Sequence, residues 1–316
     1  MDKPSLLSRW GIHAATVCPM DPEGRIDTAS LSAHLAEVSA TPGISGLLLN
    51  GHAGEGHLLT PDERALVLEA ARANTPEGCF LTAGVTAEST AGAVEEARIS
   101  ARAGADAILV FPPNHWASGI DPEMALAHHA AIAEAVDLPL VLYKGPVTAG
   151  PMSYSVPVLR ALLEGLPSVA AIKEGSWEVA SYEQTWRLAS ELRPDVAVLG
   201  SGDEHLLTSY LIGSQGSQVS LAAVIPETIV ALYDAARADD WVVARQHHEA
   251  IYALSVAIYR DQPTNLATAR LKACLKILGR MPHDTVRRPM RQLSTPELDR
   301  LRQALATPNL ITGANP

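Results

Sequence analysis

The chain is poor in several residue classes on which common functions depend. Its 316 residues include only three cysteines, Cys18, Cys79 and Cys274, which lie far apart and form no CxxC pair. That excludes a disulfide framework and predicts reduced thiols. Lysine is scarcer still for a basic residue: five in all, within 24 basic residues set against 35 acids, for a net charge of -11. Nucleic acid and anionic membranes both ask for clustered Lys and Arg, so neither is expected as a partner. No uninterrupted apolar run reaches the ~18 residues of a membrane span, and residues 1–20 lack the apolar core of a secretion signal. No HExxH or similar spacing occurs, and the paired histidines at 128–129 and 247–248 fall in helical segments, where neighbours point to different faces. These absences predict a cytoplasmic protein that uses no metal and no cofactor.

What is present is a repeated alternation. Eight short β-like runs, at 11–19, 43–51, 79–85, 105–112, 138–146, 169–176, 196–203 and 217–223, are each followed by a helix-like segment. One such helix begins at "TPDE", with Thr60 as N-cap and Pro61 in the first turn. Eight β/α alternations describe a (β/α)8 TIM barrel, and the lack of GxGxxG in the first βα turn argues against an open, doubly wound sheet. From about residue 225 the strand pattern stops. Segments 226–238, 240–260 and 264–279 and a final helix from Thr295 are helical by composition. The expected division is a barrel over 1–235 that carries the active site and a C-terminal helical extension over 236–316.

Barrels of this kind gather functional groups at the C-terminal ends of their strands. That rule nominates Thr16 and Cys18, the turn 50–55, "FPPNHW" (111–116), Tyr143 and Lys144, Lys173 and Glu174, "GSGDE" (200–204) and Ser220. Two lysines, Lys144 and Lys173, sit at strand ends. Alternation places Tyr143 and Lys144 on opposite faces; if Tyr143 points inward, Lys173 is the better candidate amine. A partly desolvated lysine beside a tyrosine suits Schiff-base chemistry, because burial favours the free amine and the phenol can move protons. The alternative, a structural lysine paired with an acid, stays open here. The glycine-rich turn "NGHAGEG" offers backbone N–H groups to a carboxylate or phosphate, and "GSGDE" and "IGSQGSQ" offer similar turns.

Taken together, Gly-x-x-Gly-Glu after strand 2, tyrosine ending strand 5, Ile-Lys-Glu on strand 6 and Gly-Asp after strand 7 resemble the dihydrodipicolinate synthase / N-acetylneuraminate lyase family. The resemblance runs from about residue 10 to residue 294. It implies a TIM barrel with a helical extension, a homotetramer, and a class I lyase whose lysine forms a Schiff base with a 2-oxo acid such as pyruvate. By position, Lys173 is the Schiff-base lysine and Tyr143 the proton-transfer tyrosine, while Gly51, His52, Ala53 and Gly54 form the carboxylate-binding turn that Glu55 closes.

Departures from the family pattern bear on substrate. The synthases read Gly-Thr-Thr-Gly-Glu where this chain reads "GHAGE", which makes His52 the candidate relay partner of Tyr143. Thr148 stands where they carry a carboxylate-binding arginine, and Thr148 and Ser220 join Gly51, Ala53 and Gly54 as expected substrate-binding residues. "FPPNHW" replaces a Tyr-Tyr-Asn turn, and Trp116 hints at a larger or less polar second half of substrate. The expected reaction is therefore aldol cleavage or condensation, or dehydration or deamination, of a 2-oxo acid, and not that of a true dihydrodipicolinate synthase. Two alternatives accompany it: a phosphate-binding barrel enzyme using the glycine turns, and a catalytically impaired 2-oxo acid binding protein.

Overall fold

A computed structural model describes residues 9–308, 310 and 311; Lys3 and the opening part of the 1–20 stretch lie outside them. Eight parallel strands close on themselves in sequence order, β1 pairing with both β2 and β8. They are β1 (Ile12–Ala15), β2 (Ile44–Leu49), β3 (Phe80–Val85), β4 (Ala107–Val110), β5 (Leu140–Lys144), β6 (Val169–Glu174), β7 (Ala197–Gly200) and β8 (Gly216–Val219). Around them run α1 (Thr28–Ala40), α2 (Pro61–Asn74), α3 (Thr90–Arg102), α4 (Pro122–Ala135), α5 (Val156–Gly165), α6 (Val179–Leu192), α7 (Leu206–Ile212) and α8 (Pro226–Arg237). Each strand lies within the run expected of it except β8, which begins one residue earlier, at Gly216.

The strands are buried on both faces, as parallel strands between a barrel interior and a helical ring must be. On β5, Val141 and Tyr143 join the interior cluster with Leu48, Leu109, Phe111 and Leu199, while Leu142 packs outward against Val158, Leu162 and Tyr182. Trp10, His13 and Phe80 stack on one another at the opposite end of the barrel from β5's Tyr143. Helix entry is set by side-chain caps: Asp27, Thr60, Ser89 and Asp121 each accept a backbone N–H in the first turn. At α2 the cap is reciprocal, with Glu63 accepting the Thr60 amide.

The extension comprises α9 (Trp241–Tyr259), α10 (Ala267–Ile277) and α11 (Thr295–Leu305). The boundary expected at residue 235 falls inside α8, which runs on to Arg237 because no breaker precedes Asp239, whose φ is 56°. Asp240 then caps α9. The extension is fastened to the barrel by buried polar contacts. Lys272 on α10 donates to Glu55 in the turn after β2, and both side chains are fully buried. The Arg287 amide donates to the other Glu55 oxygen at 2.8 Å, and Lys272 also donates to the Thr285 carbonyl at 2.8 Å. Arg287 itself binds Glu63 and the Leu58 carbonyl, so the cap of α2 is shared with the extension.

Removing one member of a buried, hydrogen-bonded ion pair leaves the other charge uncompensated, which costs about 3–5 kcal/mol. Lys272→Ala is therefore expected to lower the unfolding free energy by about that amount in urea titration, and Glu55→Gln with Lys272→Met to recover part of the loss. A loss below about 1 kcal/mol would place this contact among the inconsequential ones.

Candidate active site

The site begins with strand register. Tyr143 on β5 lies directly beside Lys173 on β6, and both face the interior at the C-terminal end of the barrel. Lys144 and Glu174, the next pair in register, point outward. There Lys144 Nζ meets Glu174 Oε1 at 3.2 Å and donates to Ser181 Oγ at 2.6 Å and Thr185 Oγ1 at 2.8 Å on α6. Of the two strand-end lysines, Lys144 is thus the one paired with an acid. Lys173 is 8% exposed, and its Nζ makes no hydrogen bond among the described residues but sits 5.7 Å from the centre of the Tyr143 ring.

Desolvation lowers the Lys173 pKa to about 8, against the opposing field of Asp203. Asp203, 2% exposed, is pushed up to about 6 by its own burial, with hydrogen bonds and Lys173 acting the other way. Its Oδ1 accepts the Leu221 amide at 2.8 Å and the Tyr259 hydroxyl at 3.0 Å, and Tyr259 lies 2.7 Å from Ser220 Oγ. Burial also raises the pKa of Tyr143, so this phenol is neutral and can donate a proton.

The turn after β2 is held by unusual backbone. Asn50 and Glu55 have φ of 55° and 54°, and a Cβ on Gly56 would stand 1.9 Å from the Asn50 carbonyl oxygen, so only glycine fits there. The turn closes through Glu55 N–H to the His52 carbonyl and Gly56 N–H to the Gly51 carbonyl. The amides of His52 and Ala53 donate to no described residue, which leaves them free for an anionic oxygen. Thr268 on α10 donates to the His52 carbonyl at 3.2 Å and ties the turn to the extension.

Above the barrel these groups line a cavity of about 480 Å³. His52, Ala53, Tyr143, Lys173 and Ser220 all face it. The His52 ring stacks on Phe111 at 4.3 Å and stands perpendicular to Tyr143 at 5.6 Å. Contact with Phe111 and Tyr143 and the charge of Lys173 both act to lower its pKa, while the ring stays exposed at the cavity. Gly51 and Gly54 shape the turn from behind without facing the cavity; Gly51 packs against Leu48 and Phe111, and Gly54 against the Thr16 carbonyl.

Three expectations are corrected. Thr148 is exposed in the 147–153 turn and does not line the cavity. Trp116 is buried beside His128 and His129, packed beneath the rim and away from the cavity. In the stretch "IGSQGSQ", residues 212–215 precede β8 at the N-terminal end of the barrel, where the Ser214 hydroxyl and the Gln215 amide oxygen satisfy neighbouring backbone, and residues 216–218 are part of the strand. It forms no phosphate turn at the site. Cys18 is buried, and its thiol is pushed up to about 12, so it offers no thiolate. Residues not foreseen include Tyr259, Thr264, Asn265 and Thr268 from the extension, so the barrel alone does not carry the site. No cluster of three or more metal-ligating side chains occurs among the described residues.

Fold and cavity together define a (β/α)8 barrel with an amine-bearing site at its C-terminal face. Residues 9–307 match the model of the dihydrodipicolinate synthetase family, and the chain belongs to that family. An uncharacterized DapA-like lyase of Halobacterium salinarum is 29% identical over 305 residues, 96% of each chain. A 4-hydroxy-tetrahydrodipicolinate synthase of Phenylobacterium zucineum is 32% identical over 274 residues, covering 84% of this chain and 88% of that one. Among solved structures, dihydrodipicolinate synthase of Agrobacterium tumefaciens superposes with a TM-score of 0.84 at 27% identity, over 96% of this chain and 99% of the other. YagE of E. coli K12, a prophage protein solved in complex with pyruvate, has a TM-score of 0.86 at 22% identity, over 95% and 99% of the two chains.

The amine's acidity is open to direct test. Labelling of Lys173 by an amine-directed reagent, followed by peptide mapping, is expected to rise with pH to half its maximum near pH 8. Asp203→Asn removes a charge that favours the ammonium, so the midpoint should move to lower pH. A midpoint above 10, or one unmoved by the substitution, would contradict the assignment of desolvation and Asp203 as the controlling effects.

Proposed function

We propose that the protein is a class I lyase in which Lys173 forms a Schiff base with a 2-oxo acid. The observation that carries this reading is the Lys173 amine itself: buried, lowered to about 8, without a hydrogen-bond partner among the described residues, and beside Tyr143 in a cavity. Free amine is present at neutral pH at about a tenth of the total, enough for attack on a carbonyl. Inward-facing Tyr143 and the unsatisfied amides of His52 and Ala53 support the same reading.

In the proposed reaction the substrate carboxylate rests on the His52 and Ala53 amides, and Lys173 Nζ attacks C2. Tyr143 protonates the carbinolamine oxygen, which leaves as water and gives the iminium. In aldol cleavage the C4 hydroxyl gives its proton to the Tyr143 phenolate, the C3–C4 electron pair passes to the iminium, an aldehyde leaves, and the enamine is then protonated at C3. In dehydration or deamination a proton leaves C3 and its electron pair forms the enamine, which expels the protonated C4 hydroxyl or amine as water or a neutral amine and leaves a conjugated iminium. Hydrolysis of the iminium returns the lysine amine in either case. We assign His52 as the group that exchanges protons with Tyr143; Phe111 holds its ring in place. Gly51 and Gly54 keep the carboxylate turn in shape, and Ser220 acts through Tyr259. Thr148 has no part in a site built by this chain.

The reading includes no cofactor, a cytoplasmic enzyme and a homo-oligomer, a tetramer by family pattern. The named relatives are synthases and lyases, and YagE was solved with pyruvate; both favour a 2-oxo acid as the ligand of this site. A phosphate-binding enzyme is disfavoured by the Asp203 carboxylate in the turn after β7.

Incubation with pyruvate and borohydride, followed by intact mass and peptide mapping, is expected to place an irreversible adduct on Lys173. Lys173→Ala should abolish both adduct and turnover while circular dichroism stays unchanged. Tyr143→Phe should still form adduct but slow the proton steps about 10²-fold or more. An active Lys173→Ala variant sinks the proposal, and adduct without turnover on any 2-oxo acid would instead identify a binding protein.

A further inference from the structure

Arg270 lies in the first turn of α10, 1% exposed, and no carboxylate bonds to it among the described residues. Both its burial and its position count against it: a buried guanidinium loses hydration, and the N-terminal turn of a helix carries positive potential. The charges of Asp261 and Glu297 favour it without bonding to it, and those of Arg291 and Arg300 oppose it. What the guanidinium does bond is backbone. Nη1 donates to the Ile258 carbonyl at 2.9 Å and Nη2 to the Pro263 carbonyl at 3.1 Å. Ile258 belongs to the last turn of α9, where a helix leaves carbonyls without partners and where its dipole welcomes a cation. The two nitrogens therefore bracket the stretch that joins α9 to α10 and leads into Thr264 and Asn265 of the cavity wall.

Tyr259 is the first residue inside that bracket. Its hydroxyl donates to Asp203 Oδ1 at 3.0 Å and its ring lies 5.1 Å from that of Trp177. Next to it, Arg260 grips Glu204 through two bonds of 2.7 Å. Two successive residues at the end of α9 thus meet two successive residues of the turn after β7. The Arg260 side chain is 53% exposed, so solvent competes for its pair, whereas Arg270 acts where water does not reach. We infer that Arg270 is a positioning residue of the active site: by holding the end of α9 it keeps Tyr259 on Asp203, and so fixes the carboxylate that faces Lys173. Besides Lys173, the titratable groups around that carboxylate are Tyr259 and Tyr210, and those beside Lys173 are Tyr143 and His52. The inference goes beyond the Schiff-base reading and needs only that Lys173 is the amine facing the cavity.

The readout is the charge state of Lys173, which a purely structural role for Arg270 would leave unmoved. Amine-directed labelling with peptide mapping is run across pH on the wild-type chain, Arg270→Met, Arg270→Gln, Tyr259→Phe, and Arg270→Met combined with Tyr259→Phe. A carboxylate deprived of the Tyr259 hydrogen bond ionises less readily, and the Lys173 ammonium then loses part of its countercharge. The labelling midpoint should therefore fall by about 0.3–0.5 pH unit in Tyr259→Phe and in Arg270→Met, and the double variant should fall no further than Tyr259→Phe alone. Arg270→Gln, too short to reach both carbonyls, should shift the same way and decides the matter where Arg270→Met does not fold. A midpoint that stays put or rises while the melting temperature drops makes Arg270 a structural staple only and overturns the inference. So does a double variant whose shift is the sum of the two, or a Tyr259→Phe variant with no shift. Borohydride trapping of pyruvate is run in parallel. No pyruvate adduct on wild-type Lys173 would sink the lyase reading and leave the midpoints to judge Arg270 on their own, whereas an adduct with unmoved midpoints sinks the Arg270 inference alone.

Discussion

An ammonium group withdrawn from water loses hydration that nothing in an apolar barrel interior replaces, and the architecture around Lys173 follows from that constraint. The strand register sets the amine beside Tyr143, with Leu199 on its other side. Most of its hydration is thereby removed, and the neutral amine is favoured. Asp203 limits how far the pKa falls, and Tyr259 and the Leu221 amide hold that carboxylate ionised and fixed. Each contact outward from the amine answers a polar requirement created by the one before it.

The neighbouring position shows the opposite solution to the same problem. Lys144 and Lys173 lie on adjacent strands, one residue apart in register. Lys144, turned toward α6, is satisfied by Glu174, Ser181 and Thr185 and has no free valence for chemistry. Lys173, turned inward, is given a distant carboxylate and no hydrogen bond. Pleat parity alone decides which lysine is satisfied by an acid and hydroxyls and which faces the cavity.

That parity was legible in the chain, and so was the barrel, because eight apolar runs separated by capped amphipathic helices admit few other arrangements. Lys173, Tyr143 and the "GHAGE" turn could be found because strand ends are a local feature. The misreadings have a common cause in tertiary packing. Trp116 follows β4 as a site residue would, yet its indole packs inward beneath the rim beside α4. Thr148 sits in the right place along the chain, but the 147–153 turn carries it out to solvent. "IGSQGSQ" has the glycines of a ligand-binding turn, but Gly216 opens β8 and sets the turn before it at the far end of the barrel. Tyr259, Thr264, Asn265 and Thr268 gave no local signal at all, since nothing in an apolar helix says which part of the barrel it will cover.

The composition of the cavity has a consequence for how such a protein can change. The amine, the phenol and the carboxylate turn all belong to the barrel, whereas much of the surface facing the rest of the substrate comes from α9, α10 and the segment between them. The two sets of residues are encoded in separate stretches of the gene and are joined through polar contacts such as Glu55 with Lys272 and the Arg287 amide, Thr268 with His52, Tyr259 with Asp203 and Arg260 with Glu204. So long as those fastenings are kept, the cavity-facing residues of the helical segment can be replaced without redesign of the strands, so one arrangement of amine and phenol can stand opposite a succession of different walls.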